Sequence, residues 1–298
     1  MNKQGQAFSI KDLENICGIK AHTIRIWEKR YHLLEPERTD TNIRTYNMES
    51  LKKLLNVSFL VNCGYKISRI SKLSESEVYE YVNSIVSDQT TVDRSLNSLK
   101  LAMLNFNTNL FVETLSELRK RFNFTQVFYD ALLPFLNEVG MLWQANTINS
   151  THEHFVTNII KQKLWVEIDE LQNNVTNTEK TYVLYLPSGE MSDLSLLFIN
   201  TLILSKGHKT IFLGANVSLD FLRTLAELQD NLVFVSYFTL APHVEDVNKY
   251  ITTFKDEICL PNKHELWVMG RQLNDVIVPI SALVKVIYSF KDFEKIID

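Results

Sequence analysis

The chain has 298 residues, 45% hydrophobic and 22% charged, enough for two or three domains with real cores. Its three cysteines (Cys17, Cys63 and Cys259) are odd in number and form no CxxC pair, which excludes a disulfide scaffold and disfavours a thiolate metal site. No apolar run approaches the ~20 residues that cross a bilayer, and "MNKQGQAFSI" has no apolar signal core, so a cytoplasmic protein without a membrane partner is expected.

The net charge of −4 is unevenly spread. Residues 1–75 carry 13 Lys+Arg against 8 Asp+Glu, and the remaining 223 residues carry 18 against 27. A basic block ahead of an acidic body suggests a nucleic-acid-binding head on a module with another task.

Residues 7–75 form the first unit. In "FSIKDLENICGI", Ser9 is placed to cap a helix and Asp12 to favour its first turn. Ile10, Leu13 and Ile16 recur at helical spacing, and Gly18 stops the helix. "KAHTIRIWEKRYHLL" resumes the period with Ile24, Trp27 and Tyr31, which gives a helix-turn-helix. "EPERTDTNIRTYN", with turn formers Asp40 and Asn42, reads as a small hairpin, or wing. "MESLKKLLNVSFLVNCGY" and "KISRISKLSESEVYEYVNSIV" are two more helices. Residues 76–98 hold a helix end and a linker, centred on Ser87 to Ser98.

Residues 99–175 contain four segments with apolar residues at three-four spacing, the pattern of a four-helix bundle. Pro134 is expected to kink its helix or lie near an end. From 179 to 298, "TYVLYLP", "KTIFLG", "LVFVSYF", "HELWVMG" and "VIVPIS" read as strands, with amphipathic helices between the first four and a last helix, "LVKVIYSFKDFEKII". This alternation predicts a Rossmann-like parallel sheet. The fold class is therefore multidomain α and α/β: a winged helix-turn-helix head, a four-helix bundle and a parallel-sheet domain.

A major-groove helix needs donors on its exposed face and neighbours that hold phosphates. With Ile24, Trp27 and Tyr31 buried, His22, Thr23, Arg25, Lys29 and Arg30 point outward. Arg25 suits base edges or phosphate, while Thr23 and Arg30 suit phosphate; the wing adds Arg38, Thr39, Asn42, Arg44 and Tyr46. The plainer alternative is a solvated cationic surface.

Residues 7–75 resemble the DNA-binding domain of MerR-type transcription regulators in "TIRIWEKR", the Pro-containing turn into the wing and the "IRTYN" exit. The resemblance implies DNA contacts at Thr23, Arg25, Arg30, Arg38, Arg44 and Tyr46. It also implies double-stranded promoter or operator DNA as partner, with a dimer or higher homo-oligomer distorting a two-fold site.

"LWQANTINSTHEHF" leaves two readings open. Ser150 or Thr151 caps a helix, with Ser150 and Glu153 spelling a capping box, Trp143 a core anchor and His154 a first-turn residue. His152 and His154, two apart, diverge on a helix and make a poor metal pair. The other reading follows from a resemblance. A bundle followed by a parallel-sheet domain is similar to the cobalamin-binding modules of methionine synthase and, with the head, to light-sensing regulators of the CarH and LitR type. Their cap motif, Trp, nine residues, then Glu-His, is matched by Trp143, Glu153 and His154, which implies contacts with the upper face of adenosylcobalamin.

The lower motif is degenerate. Glu190 matches the acidic position of Asp/Glu-x-His-x-x-Gly, but Ser192 stands at the cobalt-ligating His and Ser195 at the Gly. A hydroxyl does not replace imidazole as a cobalt ligand, and His208, past the next helix, is a poor stand-in. Around the nucleotide tail the resemblance keeps Ser236 and Gly270 but places Phe238 and Arg271 where small or slim residues belong.

A DNA-binding regulator is expected, its C-terminal half a sensor or oligomerisation module. Two alternatives stand beside it: a cofactor-free regulator whose C-terminal half holds a protein such as an antirepressor, and a light-responsive, adenosylcobalamin-binding repressor. No nucleophile elbow, P-loop or GxGxxG appears, so no catalytic residues and no enzyme are expected.

Overall fold

The structure, a computed structural model, describes residues 7–39, 41–85, 88–274, 276–278 and 281–297; for residues 88 and 89 it describes the backbone alone. Asp40 and Ser87 lie outside the described residues. The chain divides into two compact units, Met1–Ile159 and Ile160–Asp298. No helix among the described residues is long and apolar enough to cross a membrane.

The N-terminal unit begins with α1 (Ile10–Cys17) and α2 (Ala21–Tyr31). Ser9 and Asp12 form a reciprocal capping box, and Gly18 ends α1 in the left-handed region at φ 72°. Ile24 and Trp27 are buried while Tyr31 is half-buried. Strands β1 (Glu37–Arg38) and β2 (Arg44–Thr45) pair antiparallel as the wing, and Phe8 bridges to Tyr46 beside it.

Helix α3 (Met48–Asn62) is capped by Asn47. The single helix expected after Gly64 is two: α4 (Ile67–Ile70) and α5 (Glu75–Ser84), separated where Ser74 and Glu77 form a second capping box. The expected linker is mostly helix, because α6 runs from Asp88 to Leu104. Its buried positions Thr91, Val92, Ser95 and Leu99 fall at helical spacing, a pattern masked in the sequence by the small polar members of the set.

α7 (Thr108–Arg119), α8 (Phe124–Val127), α9 (Leu133–Gln144) and α10 (Ser150–Gln172) complete the bundle, α8 and α9 being one helix interrupted by a π turn at Phe128–Leu132. The turn precedes Pro134, which has no N–H to donate and whose ring crowds an i−4 carbonyl. The cap of α10 differs from the expected one. Asn149, one residue earlier, accepts the Thr151 N–H at 3.1 Å and contacts the His152 ring, so Ser150 and Glu153 form no capping box.

The C-terminal unit is built on five parallel strands: β3 (Asn177–Pro187), β4 (His208–Val217), β5 (Leu232–Tyr237), β6 (Glu265–Met269) and β7 (Val284–Val286). The order β4-β3-β5-β6-β7 reverses between β3 and β5. Helices α11 (Leu194–Ser205), α12 (Leu219–Leu228), α13 (Val244–Phe254), α14 (Leu260–Asn262) and α15 (Phe290–Ile296) connect and close it. β3 is buried on both faces from Thr181 to Pro187, as a central parallel strand must be.

The fifth expected strand is misplaced. Residues 276–278 are not strand, Pro279 and Ile280 lie outside the described residues, and β7 comes from the start of the expected last helix. Ser289, whose hydroxyl accepts the Asp292 N–H at 3.1 Å, starts α15 and divides that segment.

Gly270 shows how tightly the strand ends are drawn together. It sits at φ 116°, and a Cβ there would lie 2.3 Å from the Phe238 carbonyl oxygen and 2.6 Å from its nitrogen. Gly270→Ala should therefore destabilise the C-terminal unit by about 2–4 kcal/mol, through strain and forced separation of the β5 and β6 ends. Urea unfolding of the full chain followed by tryptophan fluorescence measures it through Trp267, which is buried in β6.

Candidate nucleic-acid interface and cofactor crevice

On α2, His22, Arg25, Lys29 and Arg30 are exposed and Thr23 is half-exposed, so one cationic face is presented to solvent. Arg30 lies over the Tyr31 ring at 5.5 Å, and the exposed Arg38 of the wing is held by the Asn42 side chain at 2.6 Å. Arg44 and Tyr46 are placed differently. Tyr46 is buried, at 1% exposure, and its hydroxyl donates to the Glu28 carboxylate; Arg44 pairs with the same carboxylate at 3.5 Å.

Burial first, then the hydrogen bond to Glu28 and the charge of that carboxylate, push the Tyr46 phenol well above its ordinary range. Tyr46 is thus a strut between α2 and the wing rather than a surface contact, and its hydroxyl is already committed. Glu28, the single acid inside a basic helix, is the residue that holds the strut. The sequence signal for it was the sign change within "TIRIWEKR".

The upper-face motif is on the N-terminal unit. Trp143 closes α9 and is 51% exposed, so it is no core anchor. Glu153 and His154 lie exposed on the first turn of α10, and among the described residues neither side chain has a hydrogen-bond partner. His152 faces the other way: it is buried, stacked on Phe106 at 4.7 Å, and its pKa is lowered by burial. The cap taken by Asn149 leaves Trp143, Glu153 and His154 uncommitted.

The lower-face motif is on the C-terminal unit, at the switch between β3 and β5, the place where open parallel sheets bind ligands. Glu190 is completely buried. One carboxylate oxygen accepts the N–H groups of Met191 and Ser192 at 3.1 and 3.0 Å. The other accepts those of Thr239, Leu240 and Ala241 at 2.9, 2.5 and 3.1 Å. Its own carbonyl accepts the Asn216 N–H at 3.2 Å, so one residue joins the loops after β3 and β5 to the end of β4.

Burial alone would raise the Glu190 carboxyl; the backbone donors outweigh it and bring the group below its ordinary value. The Thr239–Ala241 turn is held from outside as well, because Arg271 and Gln272 donate to the Thr239 carbonyl at 2.7 and 3.4 Å.

The remaining lower-face positions follow suit. Ser192 is exposed and carries no imidazole. Ser236 is buried, its hydroxyl without a hydrogen-bond partner in the geometry of the described residues, and Phe238 fills the space beyond it, edge-on to Tyr250 at 5.7 Å. Gly270 does not leave a slot here; the Phe238 backbone occupies the room its missing side chain provides. His208 begins β4, at the end of the strand away from the switch-point loops, and its ring bonds the Ile297 carbonyl at 2.7 Å, so it is no substitute ligand. The lower half therefore does not fit a His-ligated cobalamin with an inserted tail. Among the described residues no three His, Cys, Asp or Glu side chains are arranged to hold a metal ion.

A cationic helix-turn-helix head ahead of a helical cap and a switch-point crevice defines a DNA-binding regulator with a sensor-type module. Residues 8–77 match the family model of MerR HTH family regulatory proteins, and residues 95–166 match that of the B12 binding domain. The chain thus carries a MerR-type helix-turn-helix domain followed by a B12-binding-type domain.

It is 23% identical over 273 residues to the HTH-type transcriptional repressor CarH of Myxococcus xanthus, covering 89% of each chain. It is 27% identical to the HTH-type transcriptional regulator MlrA of Salmonella typhimurium over 44% of this chain and 58% of that one. These relatives are named as regulators, not enzymes. The monomethylamine corrinoid protein of Methanosarcina barkeri shares the fold, with a TM-score of 0.57 and 13% identity, over 70% of this chain and 98% of that chain.

The Glu190 clamp has a pH signature. A carboxyl whose pKa is lowered on folding contributes stability above its unfolded value, and that contribution is lost as pH falls through the folded value. Glu190→Gln, which turns an acceptor into a donor facing N–H groups, should lower stability by about 2–3 kcal/mol at neutral pH. Its melting temperature should then depend less on acid than that of the unmodified protein, as calorimetry from pH 7 down to about pH 3 would record.

Proposed function

We propose that the protein binds a two-fold operator as a dimer or higher homo-oligomer, in the cytoplasm, and that its C-terminal half works as a sensor or assembly module without a His-ligated cobalamin. The outward cationic face of α2 carries the first part. Arg25 reads base edges or phosphate, Thr23 and Arg30 hold phosphate, and Arg38 anchors the wing, with Arg44 adding charge beside it. Tyr46 and Glu28 fix the angle between helix and wing. Two half-sites bound together raise affinity through effective concentration, so whatever builds or breaks the oligomer sets occupancy.

The closed lower crevice supports the second part, since Glu190, Phe238 and Arg271 fill or clasp it. A module of this kind takes its signal from a protein partner such as an antirepressor. One observation favours a second reading: the uncommitted Trp143, Glu153 and His154 suit the upper face of adenosylcobalamin, held without a lower imidazole, with light as the signal.

Affinity for a fragment of the protein's own promoter should fall steeply with salt. Arg25→Ala should weaken binding by roughly tenfold and reduce the salt slope by about one; salt-independent binding, or an unchanged Arg25→Ala, would overturn the reading of α2. Mixed with adenosylcobalamin and desalted, the protein should stay colourless. A retained visible band that changes on illumination and is lost in Trp143→Ala would establish the second reading instead.

A further inference from the structure

Ile26 is out of place on the reading helix α2. Its side chain is 52% exposed, and its neighbours one turn away along the helix, His22, Thr23, Lys29 and Arg30, are all polar. α2 therefore offers it no apolar neighbour on that face. A β-branched side chain is also a poorer helix former than the Lys, Arg or Glu usual at exposed positions, so helix formation does not account for it either.

Its direction is informative. Ile24, Trp27, Glu28 and Tyr31 make the inward set, with Glu28 turned in to bond Tyr46 and Arg44. At about 100° per residue, Ile26 then lies within about 30° of the middle of the outward face, with His22 and Lys29 beside it. Arg25 and Arg30 lie about 70° to either side. Because Glu28 is turned in, the outward face carries cations and no acid. A helix seated in a major groove turns the middle of such a face to the base edges and its flanks to the two phosphate walls.

We propose that Ile26 selects a thymine in each operator half-site by packing on its C5-methyl group, an assignment that rests on the reading of α2 as the DNA-contacting helix. Among the groups that distinguish base pairs in the major groove, the thymine methyl is the apolar one; the others are hydrogen-bond donors and acceptors. An aliphatic side chain pressed on a donor or acceptor takes its water and returns no bond. Ile26 thus favours the base that offers a methyl and disfavours those that place a polar group there. Arg25 and Arg30, on the flanks, fix the register in which the contact is made.

Duplexes selected from a random pool by the full-length protein should carry an invariant dT in each half-site. Replacing each such dT singly by deoxyuridine removes the methyl and keeps the base pair. At one position per half-site this should weaken binding of the unmodified protein about fourfold, the worth of one buried methyl group. In Ile26→Ala, and separately in Ile26→Gln, both good helix formers at this exposed position, the two duplexes should bind within about 1.5-fold of each other; whichever variant keeps the unmodified melting temperature decides. Salt-independent binding would remove the DNA-contacting role of α2 and this proposal with it. Salt-sensitive binding with no selected dT, with no loss on deoxyuridine, or with an equal loss in the folded variant would overturn the proposal and leave that role standing.

Discussion

A carboxylate removed from water persists only where donors replace the water. Glu190 meets that condition with five backbone N–H groups drawn from the loops after β3 and β5. Neither loop has regular structure to shape it, and this one side chain ties the two together. In switch-point folds this is the opening through which a ligand makes contact. Here the opening is organised by the chain's own charge, and its floor is filled by Phe238. The module keeps the architecture of a corrinoid carrier while its lower half is held together from within.

The head uses the same device on a smaller scale. Glu28 receives the Tyr46 hydroxyl and lies beside Arg44, so an acid set into a cationic helix joins reading helix to wing. In both units a carboxylate sets the geometry that surrounding residues then exploit. The outward face of α2 is left to Arg25, Lys29 and Arg30. Lys100 performs the complementary service between bundle and head, a buried cation answered by Glu138 and by the carbonyl end of α1.

Much of this was legible in the residues. Ser9 with Asp12, Gly18, and the Ile24–Trp27 face gave the helix-turn-helix, because caps and periodicity are local rules. The first four strands followed from β-branched runs. What was missed has physical causes. The first part of α6, as far as Ser98, reads as linker because Thr91 and Ser95 occupy buried positions where apolar residues are expected. β7 was read as helix because Val284, Val286, Phe290 and Phe293 satisfy either period over so short a span, although Ser289 and Asp292 marked the break. The degenerate lower motif was visible at Ser192, Phe238 and Arg271. The clamp that replaces it is not, since three of its five donors are backbone groups near residue 240, about fifty positions from Glu190. Both the wing's composition and the resemblance place Tyr46 among the DNA contacts, and only its burial shows the hydroxyl turned in.

The π turn before Pro134 sets the bearing of α9. A π turn amounts to one residue added to an α-helix, and each residue rotates the helix by roughly 100°. The extra residue at Phe128–Leu132 therefore decides the compass direction in which α9 displays Met141 and Trp143. A homologous chain with the same Trp-to-Glu-His interval but a straight helix would turn its indole to another quarter. Shared spacing along the chain is thus no guarantee of a shared wall in space, and the phase of one helical turn separates the two.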